Sequence, residues 1–238
     1  MILLVHDDRE YLREPGTELQ TDLGVLEIPE EVEPGDVLTT HLDEEFRVRR
    51  LRGPDLFHHF QRTGAPMLPR DVGLVVGETG VAAGDRVLDA GTGTGVLAGY
   101  LGRLGVEVIT YERDPEFAEV ARENMALAGV DDRVEVRSGD VLEGLDSHSG
   151  FDAVTLDTED APSVVERVPE TLADGGFLAV YSPFVEATRD VVEAARERLS
   201  NVRAIETIQR ELDVDTRGTR PSTGPVGHSG YLVFARNV

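Results

Sequence analysis

Residues 87–98 read VLDAGTGTGVLA, and they decide the fold class of most of this 238-residue chain. An apolar run ends in a turn that carries three glycines at alternate positions, and a second apolar stretch follows. A buried strand, a glycine turn and a helix in this order place backbone N–H groups at a helix N-terminus, where a ligand can approach them. The stretch therefore predicts a ligand site within an α/β domain.

Strand and helix patterns alternate from residue 84 onward. Apolar runs such as VEVITYE and FDAVTLD are separated by amphipathic segments such as DPEFAEVARENMALAG. This spacing indicates right-handed βαβ crossovers and a mostly parallel sheet. The last two strand patterns, VRAIETIQREL and GYLVFARNV, have no helix between them, only a long loop. We therefore expect an antiparallel C-terminal hairpin at one edge of the sheet.

The residues before this α/β domain have a different pattern. Residues 1–60 contain short β-type runs separated by turns such as Pro-Gly and Asp-Glu-Glu, which predicts a small all-β domain. Residues 61–83 are predicted to form a linker and a first helix, because RGPDLFHHFQRTGAPMLPRD has three prolines and DVGLVVGETGV then has a helical pattern. Residues 84–238 form the α/β domain.

The charge of the chain is strongly negative. Asp and Glu total 46 against 23 basic residues, all 23 of them arginine, for a formal net charge of −23. An acidic surface ordinarily repels nucleic acid, but concentrated salt screens charges within a few ångströms. We interpret the composition as that of a halophilic protein, so net charge says little about its substrate.

Cysteine and targeting patterns narrow the class of protein further. The chain has no cysteine, which excludes disulfides, thiolate zinc sites and cysteine nucleophiles. The start, MILLVHDDREYL, lacks the basic region of a secretory signal, and no apolar run is long enough for a membrane span. We expect a cytoplasmic protein with no membrane contact.

The glycine turn disfavours a dinucleotide ligand. Gly91, Gly93 and Gly95 form G-x-G-x-G, and Val96 stands where the dinucleotide fingerprint needs its third glycine. Asp89, just before the turn, would repel a diphosphate and suits a cation such as a sulfonium or an amino group. A glycine turn that serves only close packing is the alternative.

Carboxylates also end the next two strands of the pattern. Glu112 is placed to accept from ribose hydroxyls, and Asp140 to accept from an adenine amino group beside Val141. With Asp89, they put three acidic residues at the carboxyl ends of successive parallel strands, the edge where open α/β sheets bind ligands. This constellation resembles the S-adenosylmethionine-dependent methyltransferases, whose seven-stranded sheet ends in an antiparallel hairpin. The resemblance implies cofactor contacts from Asp89, Gly91, Thr92, Gly93, Thr94, Gly95, Glu112, Phe117, Asp140, Val141 and Asp157.

Three further stretches resemble one family, the tRNA (adenine-N1)-methyltransferases that act on the T-loop. The β-type N-terminal region looks like their N-terminal domain, MLPRD is similar to their Tyr/His-Pro-Lys-Asp, and RPSTGPVGHSGYLVFAR is similar to their Arg-Pro…Gly-His-Thr-Gly strand. The resemblance implies methyl transfer from S-adenosylmethionine to N1 of adenine at tRNA positions 57 and 58, with S-adenosylhomocysteine as product. It also implies a tRNA partner and a homotetramer.

The resemblance places the family's catalytic aspartate at Asp157. A carboxylate there can accept from the exocyclic amine of adenine and stabilise the charge that forms when N1 is methylated. The alternative is that Asp157 caps the helix that starts near Ala161. The sequence departs from the family in DTEDAP after this residue, which lacks an aromatic, and in residues 65–68. Both segments touch the target base in the family.

Arginines and a leucine are the candidate RNA contacts. Arg47 and Arg49 lie on one predicted strand face, with Arg50 and Arg52 on the other, and they either follow phosphates or pair with nearby acids. The remaining candidates, Leu68, Arg217 and Arg220, lie before the first helix and in the C-terminal loop.

Histidines and a phenylalanine have competing interpretations. His58 and His59 lack a ligand-spaced carboxylate set, so we expect no metal site. His228 matches the family motif, yet a turn histidine that bonds the backbone is the favoured reading. Phe117 either covers the cofactor adenine or lies in the core.

Other functions stay open at this point. A protein carboxyl methyltransferase that repairs isoaspartate has a similar glycine turn but does not account for the N-terminal β region or for RPSTGPVGHSGYLVFAR. A nicotinamide dehydrogenase conflicts with Val96. A non-catalytic RNA-binding protein with a degenerate methyltransferase fold conflicts with the intact carboxylates.

Overall fold

The computed structural model describes residues 1–225 and 227–238, and its first part is antiparallel β structure as predicted. A four-stranded sheet has the order β2–β1–β6–β5, and β3 and β4 form a separate hairpin. The strands are β1 (Ile2–His6), β2 (Arg9–Arg13), β3 (Glu18–Thr21), β4 (Gly24–Glu27), β5 (Val37–Thr39) and β6 (Glu45–Arg49).

A short helix that the sequence pattern did not predict follows this sheet. Helix α1 (Gly53–His59) has Pro54 in its first turn, and the Asp55 carboxylate accepts from the Arg52 backbone N–H at 2.6 Å. The helix has only seven residues, and Leu56 is its one fully buried residue, so its sequence shows no repeated apolar spacing. The expectation that Arg50 and Arg52 continue the strand is wrong, because β6 ends at Arg49. Helix α2 (Pro69–Thr79) follows as predicted.

The α/β region contains the predicted seven-stranded, mostly parallel sheet. Its order is β12–β15–β11–β10–β7–β8–β9, and β15 runs antiparallel to both of its neighbours. Its strands are β7 (Arg86–Ala90), β8 (Glu107–Glu112), β9 (Val134–Ser138), β10 (Phe151–Leu156), β11 (Leu172–Ser182), β12 (Ser200–Glu206) and, after a small hairpin of β13 (Leu212–Asp215) and β14 (Gly218–Pro221), β15 (Tyr231–Arg236).

The helices of this region lie between the strands. They are α3 (Val96–Arg103), α4 (Pro115–Ala128), α5 (Val141–Gly144), α6 (Ala161–Val165), α7 (Val168–Thr171) and α8 (Val185–Arg198). Two short helices, α6 and α7, take the place of one continuous helix here, and β11 already begins at Leu172. The break has a local cause, since Pro169 lacks the N–H that a continuous helix would donate to Val165.

The C-terminal loop is more ordered than its sequence indicates. Strand β12 ends at Glu206, and β13 and β14 pair across the two-residue turn Thr216–Arg217. The Asp215 side chain accepts from the Arg217 backbone N–H at 2.7 Å, and Gly218 has a φ of +138°. This hairpin was missed because its residues alternate between apolar and charged over only four positions.

One buried cluster joins the N-terminal sheet to the α/β region. Leu3, Leu56 and Phe60 pack with residues of α3 and α4, such as Leu101 and Met125. The sheet edge at the carboxyl ends of β7, β8 and β10 is thereby placed beside the linker that follows α1. In the described ranges, no helix is long and apolar enough to cross a membrane.

Phe60 tests the contribution of this cluster to stability. Its buried ring packs over Gly99 of α3, where even an added Cβ would lie 3.2 Å from the ring. Phe60→Ala should lower the free energy of unfolding by about 3–5 kcal/mol, measured by denaturant titration at constant salt. The matched control is Phe184→Ala, because this ring is 68% exposed and its loss should change stability by less than about 0.5 kcal/mol. Equal effects of the two substitutions would contradict the packing described here.

Candidate functional site

The glycine turn after β7 is held against the end of β10. Gly91 has a φ of +87°, and a Cβ at this position would lie 2.0 Å from the Asp157 carbonyl oxygen. Gly95 has a φ of +81°, and its Cβ would lie 2.6 Å from Met125 Cε. A larger residue at position 91 would push the turn away from the end of β10, whereas one at position 95 would be strained by the positive φ and would meet the end of the Met125 side chain on α4. The glycines therefore allow the backbone of the turn to approach Asp157.

Glu112 is fixed directly beside the turn. Its carboxylate accepts from the Gly93 N–H at 2.8 Å and from the Asp114 N–H at 3.1 Å. The Gly91 N–H donates to the Tyr111 carbonyl at 3.0 Å. The end of β8 and the glycine turn thus form one hydrogen-bonded unit.

Asp89 lies beneath the turn and is 4% exposed. Thr110 donates to one of its oxygens at 2.6 Å, and Thr155 donates to the other. Burial raises the pKa of Asp89, and the nearby charge of Glu112 raises it further. Thr92 bonds Thr110 at 2.5 Å, so its hydroxyl is directed into this buried network.

Asp157 follows β10 and has no comparable support. Its backbone N–H donates to the Ala90 carbonyl at 2.8 Å, while no described residue donates a hydrogen bond to its carboxylate. Burial raises the pKa of Asp157 to about 7, and the charges of Asp89 and Glu112 add to the effect. The alternative that Asp157 caps a helix is wrong, because α6 begins after Asp160.

Asp140 and Val141 complete the sheet edge on its other side. Asp140 precedes α5 and accepts from the Leu142 N–H at 2.9 Å, and the Val141 side chain is buried. Both face the same hollow as Glu112. The edge therefore brings together the carboxylates that the sequence pattern placed at three strand ends.

Two adjoining hollows open along this edge. The first encloses about 540 Å³ between the turn and residues 63–67, and the second about 770 Å³ between Glu112 and Asp140. Both volumes include open solvent. They share a wall made of Gly91, Gly93, Phe117 and Asp157. Phe117 is 37% exposed, so its alternative placement in the core is wrong.

The lining of the hollows fits a cationic nucleoside such as S-adenosylmethionine. Its one guanidinium, from Arg113, is paired with Asp160 at 2.6 Å. The lining carboxylates are those of Asp89, Glu112, Asp140, Asp157 and Glu159. A diphosphate would be repelled from such a surface, whereas a sulfonium and a ribose would both find acceptors.

Asn124 connects the linker to the glycine turn, a role that its position in the sequence did not predict. It is fully buried on α4, and its carboxamide accepts from the Gln61 N–H at 3.0 Å. It donates to the Gln61 carbonyl at 3.0 Å and to the Thr94 carbonyl at 2.8 Å. The linker is thereby tied to the glycine turn, and Thr63 also contacts the Thr94 hydroxyl at 3.3 Å. A polar residue on the buried face of an amphipathic helix was the available signal.

The predicted RNA contacts are dispersed over the surface. Arg47 and Arg49 share the exposed face of β6, and no carboxylate of the described residues lies within 4.0 Å of either guanidinium. Arg217 and Arg220 are paired with Asp215 at 3.0 Å and Asp213 at 3.6 Å across the hairpin.

Leu68 lies apart from the hollows beside the glycine turn. It immediately precedes α2 and lines a separate groove with Arg70, Arg210 and His228. Among the described residues, no group of three or more His, Cys, Asp and Glu side chains is arranged to hold a metal ion. His59 contacts Glu10 at 3.0 Å.

The two motifs at opposite ends of the chain, MLPRD and GHSGY, meet in space. Arg70 donates to the Ser229 hydroxyl at 2.8 Å, and that hydroxyl donates to the buried Asp71 at 3.0 Å. Tyr181, at the end of β11, donates to the Ser229 carbonyl. Val226, within the C-terminal motif, lies outside the described residues. The motifs thus brace the sheet edge beside Asp157.

His228 adds to this bracing through both ring nitrogens. Nδ1 contacts a Glu206 oxygen at 3.0 Å, and Nε2 contacts the Pro183 carbonyl at 3.1 Å. Both partners are acceptors, and the Pro183 carbonyl and Glu206 raise the pKa of His228. The favoured reading, a turn histidine that bonds the backbone, agrees with this geometry.

Substitution of Asn124 tests the connection between linker and turn. Asn124→Ala would leave buried N–H and C=O groups unpaired, at about 1–3 kcal/mol each. Amide exchange in residues 61–67 and 92–95 should become at least about tenfold faster, as measured by mass spectrometry. Glu123→Ala is the control, because it removes only an exposed hydrogen bond to the Gln61 side chain. Unchanged exchange in Asn124→Ala would refute the connection.

Comparison with known proteins identifies the family. Residues 58–220 match the family described as tRNA methyltransferase complex GCD14 subunit. The chain is 31% identical to the tRNA (adenine(57)-N(1)/adenine(58)-N(1))-methyltransferase TrmI of Methanocaldococcus jannaschii, over 99% of this chain and 94% of the relative. It is also 31% identical to Thermus thermophilus TrmI, over 87% of this chain and 82% of that protein.

Solved structures agree with the fold. A Thermotoga maritima S-adenosylmethionine-dependent O-methyltransferase superposes with a TM-score of 0.83 at 26% identity, covering 100% of this chain and 92% of the other. TrmI of Aquifex aeolicus superposes with a TM-score of 0.77 at 23% identity, covering 100% and 96%, which supports the fold alone.

The isoaspartate methyltransferase alternative explains only part of the chain. The protein-L-isoaspartate O-methyltransferase of Methanoculleus marisnigri is 36% identical over 46% of this chain and 49% of its own length. The TrmI relatives match almost the whole chain, including the β-type N-terminal region. The protein belongs to the GCD14/TrmI family of tRNA methyltransferases, and S-adenosylmethionine is its cofactor.

Proposed function

We propose that this protein transfers a methyl group from S-adenosylmethionine to N1 of adenine in the T-loop of tRNA, at position 57, position 58 or both. The similarity to the M. jannaschii enzyme named for these two positions extends over 99% of the chain. The observation that carries the proposal is the Asp157 carboxylate, which faces the shared wall of both hollows without a hydrogen-bond donor of its own.

Asp157 is the proposed catalytic residue. Methylation makes the adenine ring cationic and acidifies its exocyclic amine, so a carboxylate that accepts from this amine stabilises the developing charge. The same carboxylate can take the amine proton, an effect typically worth about 10²–10⁴-fold in rate. An acceptor with its pKa near neutrality is well matched to that task.

The cofactor contacts belong to the second hollow and the turn. S-adenosylmethionine supplies an electrophilic methyl group on a positively charged sulfur when bound. We assign Glu112 to the ribose hydroxyls, Asp140 to the adenine amine, and Val141 and Phe117 to the faces of that ring. Asp89 compensates the positive charge from beneath the turn. Gly91, Thr92, Gly93, Thr94 and Gly95 form the backbone cradle.

The target adenine enters the first hollow in this proposal. Residues 64–67 form its outer wall, opposite Asp89 and Asp157. This is one of the two segments where the sequence departs from the family, so the wall contacts the base through Ala65, Pro66 and Met67. A T-loop base must leave its stack to reach this depth, at a cost of a few kcal/mol.

The RNA contacts extend the proposal beyond the pocket. Arg47 and Arg49 present unpaired guanidiniums on β6 that suit phosphates. Leu68 lines the groove of Arg70, Arg210 and His228, and its sequence neighbour Met67 lines the base hollow. Arg217 and Arg220 would have to exchange their hairpin carboxylates for phosphates. In concentrated salt the attraction between arginines and tRNA phosphates weakens, so recognition of the shape of the tRNA contributes more to binding.

The setting of the enzyme is also part of the proposal. An archaeal, halophilic source and a cytoplasmic location follow from the composition and from the tRNA substrate. A homotetramer follows from the resemblance, and exposed apolar side chains support assembly. Leu212 and Val214 are 60% and 75% exposed on one face of β13, and Ile208 just before it is also exposed. We propose that this hairpin packs against a second copy of the chain.

The pH dependence of methyl transfer tests the role of Asp157. The reaction needs the ionised carboxylate, and a carboxyl with a pKa of about 7 is protonated below that pH. With tRNA transcript in multimolar KCl, kcat/KM should fall about tenfold for each pH unit below 7 and level off above it. A rate that is constant from pH 5.5 to 8 would contradict the assignment.

Asp157→Asn should lower kcat by at least about 10²-fold while the protein stays folded. The amide removes a buried charge, so the melting temperature at pH 8 should not fall. Asp174→Asn, at an exposed position on β11, is the control and should keep full activity. An active Asp157→Asn enzyme would show that another group accepts from the base.

Light scattering in high salt tests the assembly. The wild-type chain of 25.9 kDa should give the mass of a tetramer. Val214→Asp should shift the mass to a smaller species, because it places a charge in the apolar contact. A monomer mass for the wild type would reject the tetramer.

A further inference from the structure

The carboxylates around the cofactor pocket are poorly compensated by protein cations. Asp89 bonds two threonine hydroxyls, and Glu112 bonds two backbone N–H groups. Asp157 has no hydrogen-bond donor among the described residues. The one guanidinium in the lining, that of Arg113, is engaged by Asp160 at the rim. The pocket therefore carries an excess of negative charge that a ligand can relieve.

No cation of the described residues contributes to the pKa of Asp157. The Arg113 guanidinium lines the same hollow but is paired with Asp160, and Arg70 and Asp71 of α2 act on the neighbouring Tyr181 and not on Asp157. Asp89 comes from β7, Glu112 from β8 and Tyr181 from β11. The loop after β10 adds Glu159 to the lining. Each of these groups is acidic or neutral, so the ionised form of Asp157 is destabilised in the free protein.

The cofactor and its product differ in charge at this place. S-adenosylmethionine carries a sulfonium, whereas S-adenosylhomocysteine carries a neutral thioether. We propose that Asp157 makes the pocket discriminate between them, by releasing its proton when the cationic cofactor binds and remaining protonated beside the neutral product. This inference rests on the proposed function in one respect: Asp157 lies on the wall shared by the cofactor hollow and the base hollow, so its carboxylate is taken to lie near the sulfur as well as near the base.

The proposal also balances the charge of the reaction. The carbon–sulfur bond breaks and the carbon–N1 bond forms, so the positive charge passes from the sulfur to the adenine ring. The exocyclic amine then loses its proton to Asp157, which leaves a neutral base, a neutral thioether and a protonated carboxyl. After the reaction Asp157 is protonated and neutral, as it is in the free pocket below neutral pH. A neutral carboxyl has no Coulombic attraction to the neutral thioether, so Asp157 does not hold the product in place.

Cofactor affinity should therefore depend on pH, and product affinity should not. Since the pKa of Asp157 in the free protein is about 7, binding of S-adenosylmethionine at pH 6 must first remove its proton. One linked proton makes the dissociation constant about tenfold weaker at pH 6 than at pH 8. For S-adenosylhomocysteine the two constants should agree within about twofold.

Isothermal titration calorimetry without RNA tests this inference. Each ligand is titrated into the full-length protein in constant high salt, at pH 6 and pH 8, in two buffers that differ in ionisation enthalpy. At pH 6 the wild type should release close to one proton on binding S-adenosylmethionine and none on binding S-adenosylhomocysteine. Equal proton release for both ligands, or none for either, would overturn the proposal.

Two variants test whether Asp157 is the group that releases the proton when S-adenosylmethionine binds. Asp157→Asn should bind S-adenosylmethionine without proton release and with no difference between pH 6 and pH 8. Asp174→Asn, at an exposed position of β11 that lines neither hollow, should keep the wild-type proton release. Retained proton release in Asp157→Asn would move the linkage to another group. Because no RNA is present, failure of tRNA methylation would leave this result intact.

Discussion

The approach of Gly91 to the carbonyl of Asp157 is the constraint on which the site depends. The place of a Cβ there is already occupied by backbone, so only glycine lets the turn after β7 lie against the end of β10. The contact sets the depth of both hollows, and it places Asp157 beside Asp89 and Glu112. The acidity of the pocket is thus a consequence of backbone geometry as much as of composition.

That geometry brings several carboxylates close together, which raises the pKa of the least supported one. Ionised carboxylates that share a buried edge destabilise one another. Asp89 and Glu112 are supported by hydrogen bonds, whereas Asp157 is left with a pKa near neutrality. The least supported carboxylate is that of Asp157, which faces the hollow where we propose that the acceptor base binds. A cationic cofactor and a proton-releasing acceptor both match this arrangement, and the diphosphate of a nicotinamide cofactor does not.

Much of this could be predicted from the sequence, because the signals were strong and local. Glycines at alternate positions after an apolar strand, and acids at successive strand ends, placed the pocket correctly. Helix α1 was missed because seven residues with one fully buried side chain carry little periodicity. The contact of Asn124 with Gln61 joins residues 63 positions apart, and the contact of Ser229 with Asp71 joins residues 158 positions apart, so no local pattern reveals them. The pairing of Arg217 and Arg220 with hairpin carboxylates likewise required the register of β13 and β14.

The most direct test of the account is to find where the methyl group goes. Purified protein, labelled S-adenosylmethionine and an unmodified tRNA transcript are incubated in multimolar KCl, and the nucleosides are resolved by mass. Transcripts with single substitutions at positions 57 and 58 serve as controls. We expect N1-methyladenosine in the T-loop, and loss of the label when both adenines are replaced. Label at another nucleotide, or on a protein carboxyl group in place of the RNA, would contradict it.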